Sequence, residues 1–169
     1  MNDSDSSRGT LGVGPDGSFQ IQFVRTLVQP PERVWLWLTV PELLQQWLPG
    51  CEIDAREGGA VRFDFGEEGT ATGEVRSLSE SGADAGYLRH TWVWEGVPTS
   101  LVTWTVEKEG DGRTRLSLLH QELVEEPARE FALGWHMILD SLDLDLRGQS
   151  TDPAWEAAEE LAGIYLGAG

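Results

Sequence analysis

Residues 88–120 read LRHTWVWEGVPTSLVTWTVEKEGDGRTRLSLLH, and the periodicity of this run decides the fold. Leu88, His90, Trp92 and Trp94 share one phase, while Arg89, Thr91, Val93 and Glu95 share the other. Residues two apart in a strand lie on one face, so the first set makes an apolar, aromatic side. Val102, Trp104 and Val106 then alternate with Thr103 and Thr105. Beyond the Glu109-Gly110-Asp111-Gly112 turn, Leu116, Leu118 and His120 fall into phase again. Strands joined by short glycine-containing turns predict an antiparallel meander.

Upstream the period of two extends back to Cys51, with Val61, Phe63 and Phe65 against Arg62 and Asp64, then Gly73, Val75 and Leu78 less regularly. A first hairpin is predicted at Leu11 and Val13, the Gly14-Pro15-Asp16-Gly17 turn, and the strand FQIQFVRTL. Between hairpin and meander lie two short helical segments. Pro31 opens the first, carrying Val34, Trp35, Trp37 and Leu38. Thr39-Val40-Pro41-Glu42 has capping-box spacing for the second, which runs through Trp47 to Pro49-Gly50. Downstream, Phe131, Trp135, Ile138, Leu142 and Leu146 recur at helical spacing and predict a long amphipathic helix from about Ala128 to Arg147. Within it Gly134 costs about 1 kcal/mol relative to alanine, which predicts a close approach of the helix to the sheet or the first helices. Asp152-Pro153 opens a last helix with Trp155, Leu161 and Tyr165.

Strands segregated from helices argue an α+β layer, one sheet packed on one long helix with a gap between them that suits a small molecule. Residues 1–9 are expected to be disordered, 10–149 to form the domain, and 150–169 to be a helical extension.

Composition removes whole classes of function. Twelve Lys and Arg against 29 Asp and Glu leave a net charge of −17. That field opposes nucleic acid and anionic membrane surfaces, and no basic cluster offsets it. No apolar run reaches membrane-spanning length, and the polar start carries no secretory pattern, so no membrane insertion and a cytoplasmic location are expected. The lone Cys51 excludes an internal disulfide and fits a reducing compartment. No metal-ligand spacing, nucleophile elbow, phosphate loop or dinucleotide fingerprint occurs, so neither metal nor cofactor is expected. His90 and His120 each share a phase with large apolar residues, so each ring needs a hydrogen-bond partner inside. His120 is expected to stay neutral at pH 7, because burial disfavours the imidazolium.

The segment FVRTLVQPPERVWLWLTVPELLQQWLP (residues 23–49) resembles the opening of the START-like SRPBCC superfamily, in the branch of the Aha-type activator of the heat-shock-protein-90 ATPase. GGAVRFDF at 58–65, TRLSLLH at 114–120, and Gly134-Trp135 with Leu139 and Leu142 extend the resemblance over about residues 19–147. It implies a helix-grip fold: a curved antiparallel sheet wrapped around a long C-terminal helix, with a cavity between and two short helices after the first main strand. No catalytic set is shared across this branch, and none is carried over.

The expected function is binding of a hydrophobic or aromatic small molecule, with a stress-related role in view. The expected walls are Phe63, Phe65, His90, Trp92, Trp104, His120, Trp135 and Leu139, aromatics burying the ligand and histidines orienting it. Two alternatives stand beside it. One is an aromatase/cyclase-like enzyme acting on a polyketide through His120, which requires a partner tuning that ring. The other is a protein-interaction module making a chaperone or homodimer contact.

Overall fold

A computed structural model describes residues 8–81 and 85–166. Residues 1–7 and 167–169, which carry most of the expected disordered start and the end of the expected extension, lie outside the described residues. The strands are β1 (Thr10–Val13), β2 (Phe19–Leu27), β3 (Cys51–Ile53), β4 (Ala60–Asp64), β5 (Thr70–Ser81), β6 (Ala85–Trp94), β7 (Val97–Lys108) and β8 (Thr114–Leu123). The helices are α1 (Pro31–Thr39), α2 (Pro41–Trp47), α3 (Glu125–Leu146), α4 (Asp152–Glu156) and α5 (Ala158–Tyr165). A 3-10 turn covers Gly66–Glu68.

All strand pairings are antiparallel, in the order β1-β2-β8-β7-β6-β5-β4-β3. The meander β3 to β8 follows chain order, and the first hairpin closes onto its last strand through Ile21↔His120 and Phe23↔Leu118. The α+β expectation and the helix-grip arrangement hold: one open sheet, short helices after β2, and a 22-residue α3.

Local chemistry explains the helices. Pro31 and Pro41 occupy first helical positions, where the missing N–H costs nothing. The buried face of α1 is Pro31, Val34, Trp35 and Leu38, the spacing of one apolar stripe. Trp37 is half-buried at the edge of that stripe, its indole donating to Asp145 Oδ2 on α3 at 2.8 Å with the Arg33 guanidinium 4.6 Å from the ring. The predicted capping box does not form. Thr39 is itself the last residue of α1, and its hydroxyl donates back to the Trp35 carbonyl at 2.8 Å, leaving Val40 as an uncapping N-cap. Helix α3 begins three residues earlier than expected, because Pro127 fits within a first turn whose N–H groups have no helical acceptors.

Gly134 also departs from expectation. A Cβ placed there meets nothing within 4 Å, so no close approach requires the glycine. Tight spots lie elsewhere: a Cβ at Gly73 would sit 2.0 Å from the Thr91 carbonyl oxygen, where β5 and β6 press together. The expected extension packs back on the domain, with Leu161 and Tyr165 buried in the main core. Tyr165 Oη accepts the Gly9 N–H at 2.9 Å and shares a 2.7 Å hydrogen bond with His136 Nδ1.

Candidate functional site

The meander aligns three neighbouring strands so that His90 pairs with Val102 and Val102 with His120. This row lies on the side facing α3, and Trp92, Trp104 and Leu118 flank it in the same phase. From the helix, Trp135 projects into the row. Each histidine then meets an indole: Trp104 Nε1 donates to His90 Nε2 at 3.1 Å, and Trp135 Nε1 donates to His120 Nδ1 at 3.0 Å.

An indole N–H can only donate, which fixes both tautomers. His90 accepts at Nε2, so its proton is on Nδ1 and goes to the Thr91 carbonyl at 2.9 Å. His120 accepts at Nδ1, so its proton is on Nε2 and goes to Ser100 Oγ at 2.8 Å. The Ser100 hydroxyl in turn donates to the Trp92 carbonyl at 3.4 Å. Burial pushes His90 down to about 4, against a smaller opposing effect of the Thr91 hydrogen bond. It pushes His120 well below the ordinary histidine value too, with nearby His90 adding to the effect. Both rings are neutral at pH 7, as expected for His120.

This direction of hydrogen bonding has a chemical consequence. His120 donates to Ser100 rather than accepting from it, so the pair is not an activated nucleophile and its base. The histidines hold tryptophans rather than presenting a free polar edge.

Around this polar line the rings interlock. Trp92 lies 5.2 Å from His120, 5.2 Å from Trp135, 5.3 Å from Phe63 and 5.5 Å from Phe131, centroid to centroid. Phe131 stacks on His120 at 5.5 Å. A second layer follows outward: Trp94 is parallel to Trp92 at 6.3 Å, touching Phe131 at 5.4 Å and Phe65 at 6.2 Å. Phe63, His90, Trp104 and His120 are 0% exposed, Trp135 1%, Leu139 2% and Trp92 3%, whereas Phe65, Trp94 and Phe131 are half-buried. A side chain at 0% borders neither bulk water nor a water-sized void. The expected open cavity is therefore absent from this arrangement, because the indoles are large enough to bridge sheet to helix and fill the gap.

The cluster brings together all the expected wall residues, with Phe65 in the outer layer and Leu139 one turn along α3 from Trp135. Sequence reasoning missed Phe131, Trp94 and Ser100 as members. Phe131 was visible four residues before Trp135 on the same helical stripe, and Trp94 in the phase of Trp92. Nothing in the sequence marked Ser100.

One polar atom in the cluster is left over. Among the buried indoles Trp47, Trp104 and Trp135 each have an acceptor, but Trp92 Nε1 has none. Outside the second layer, an open hollow of about 500 Å³ is lined by Glu67, Gly69, Thr70, Trp94 and Glu95. A separate polar chain joins Arg25, Asp140, His136 and Tyr165: Arg25 Nη1 to Asp140 Oδ1 at 2.8 Å, and His136 Nε2 to Asp140 Oδ2 at 3.4 Å. Burial alone would raise the Asp140 carboxyl, but His136 and Arg25 outweigh it and hold it low. Among the described residues no cluster of His, Cys, Asp and Glu suits a metal ion. No helix among them is long and apolar enough to cross a membrane.

A sheet gripping a long helix over a ring-lined interior is the START-like helix-grip fold, of the ligand-binding or polyketide cyclase-like type. The chain belongs to the family of Activator of Hsp90 ATPase homolog 1-like proteins, whose model matches residues 29–146. It is similar to CalU16 from Micromonospora echinospora, at 27% identity over 94% of this chain and 95% of CalU16, with a TM-score of 0.73. It is also similar in fold to the protein encoded by BPP1335 of Bordetella parapertussis, at 24% identity over 100% of this chain and 96% of that one, with a TM-score of 0.68. DynU16, a protein of the dynemicin biosynthetic locus, shares the fold at 23% identity over 78% of this chain and 49% of DynU16, with a TM-score of 0.63. No curated protein matches the sequence.

Proposed function

We propose that the protein binds a hydrophobic, aromatic small molecule between the sheet and α3. The walls are Phe63, Phe65, His90, Trp92, Trp104, His120, Trp135 and Leu139. The observation that carries this reading is the Trp92 indole N–H, 3% exposed and without an acceptor in the middle of an aromatic cluster. A buried donor left unpaired costs about 1–3 kcal/mol, which a ligand carrying a carbonyl or ether oxygen would recover. The half-buried Phe65 and Phe131 are the rings that give way to admit it, while the histidine-held Trp104 and Trp135 form the fixed floor. Flat rings suit a pocket of this kind, since aromatic pairs add about 0.5–1.5 kcal/mol beyond area burial. The polar line is a scaffold in this reading: His120 orients Trp135, and Trp92 contacts the ligand.

Native mass spectrometry of gently purified protein, followed by titration of the co-purifying compound into Trp92→Phe, tests the proposal. A bound aromatic compound whose affinity falls roughly fivefold or more in Trp92→Phe supports it. Protein that carries no ligand and binds no member of a set of polycyclic ketones overturns it.

A further inference from the structure

The hollow outside the aromatic cluster has a chemistry of its own. Glu67 stands on the 3-10 turn and Glu95 in the two-residue β6–β7 turn, and both are exposed carboxylates beside the Trp94 indole. Neither is engaged by a cation among the described residues. The indole is fixed in place from two sides. It lies so close to Gly69 that a Cβ there would come within 2.6 Å of its Cζ2, and Gly69 has φ 135°, a conformation that favours glycine. On its inner side Trp94 stacks parallel to Trp92, the ring whose N–H is unpaired. A packed indole and two carboxylates lining one concave space are the groups that recognise an organic cation, through the ring quadrupole and through charge. The net charge of −17 adds a long-range attraction for cations.

We propose that this hollow is a cation subsite, so that the ligand class is an aromatic or hydrophobic body bearing an ammonium or alkylammonium group. The proposal deepens the binding reading above and rests on it: the body lies among the rings under Trp92, and the charged end lies over Trp94 between Glu67 and Glu95. It also explains how a ligand reaches a closed cluster. The cation is drawn to the rim first, and the half-buried Phe65 and Phe131, which both touch Trp94, are the rings next to it.

The test uses a matched pair of probes, (2-naphthylmethyl)trimethylammonium and its neutral isostere 2-neopentylnaphthalene, followed by equilibrium dialysis. At roughly 0.1 M salt, where the Debye length is ~10 Å, the cation is expected to bind about tenfold more tightly than the isostere. In Glu67→Gln/Glu95→Gln the preference is expected to fall to about twofold or less, with binding of the isostere unchanged. Glu159→Gln/Glu160→Gln removes the same charge from α5 and is expected to keep the preference. A preference that persists in the rim variant, or that falls equally in both variants, overturns the subsite, because it then reflects only the overall field. Binding of the isostere with no preference for the cation overturns the subsite while leaving the sheet–helix reading standing. If neither probe binds, the subsite fails together with aromatic binding in the cluster.

Discussion

Replacing His120 by phenylalanine isolates the role of the histidine–indole pairs. A phenyl ring occupies nearly the space of imidazole and keeps the stack on Phe131, 5.5 Å away at 19°. What it removes is the acceptor for Trp135 Nε1–H and the proton given to Ser100 Oγ. Trp135 is 1% exposed, so water cannot replace the lost acceptor. Orphaning that N–H costs about 1–3 kcal/mol. Ser100 keeps the Trp92 carbonyl as acceptor and suffers less. In a chain of this length each kcal/mol lowers Tm by roughly 2–4 °C, so a fall of about 2–12 °C is expected. The assay is urea denaturation of wild type, His120→Phe, Trp135→Phe and the double variant. Removing both partners leaves no orphan, so the double should cost about 1–3 kcal/mol less than the sum of the singles. Additivity within about 0.5 kcal/mol would refute the pairing.

Other expectations follow from the same packing. Stability should fall as pH drops below about 6.5, because the unfolded chain takes up protons that the buried neutral His90 and His120 refuse. Down to a folded value of about 4, His90 alone withdraws roughly 3 kcal/mol; denaturation from pH 7.5 to 5 should lose about one proton of slope in His90→Phe, and an unchanged slope would count against it. Gly134→Ala should stabilise by about 1 kcal/mol, since the new methyl meets nothing within 4 Å in mid-helix, and a melt that does not rise would contradict this. Gly73→Ala should destabilise by more than about 2 kcal/mol, because its Cβ would lie 2.0 Å from a backbone oxygen that cannot step aside; a near-neutral melt would argue against that contact.

The elements readable in advance were those set by periodicity. The Leu88-His90-Trp92-Trp94 phase placed both the strand and its inward face, and the Phe131-to-Leu146 stripe placed α3. Pairings that depend on register and helix rotation were not readable: nothing local says that Trp104 serves His90 while Trp135, from a different element, serves His120. Trp92 was visible as an inward ring, yet its unpaired N–H follows only from where every neighbouring acceptor ended up. Thr39 failed as a cap because one residue cannot both close α1 and open α2. Gly134 failed because a helix that touches the sheet through long indoles does not need its backbone to come near. The same fact explains the filled gap. Counting tryptophans predicted aromatic walls, but not that the walls would meet.

The hydrogen bond from Gly9 N–H to Tyr165 Oη joins positions 156 residues apart in the chain at 2.9 Å. Such proximity makes the order of the segments separable from their arrangement. A short glycine-rich linker joining the region of Tyr165 to that of Gly9 would close the backbone into a ring with little strain. Opening that ring at the exposed Glu109–Gly112 turn would then create a circularly permuted protein. In it β8 comes first and β7 last, so the partners of the β2–β8 pairing move closer in the chain while the β7–β8 pairing, a hairpin in the parent, joins the two ends. Comparing refolding rates of the permutant and the parent would measure how far forming β7–β8 as a local hairpin, rather than as a pairing between chain ends, sets the rate of folding.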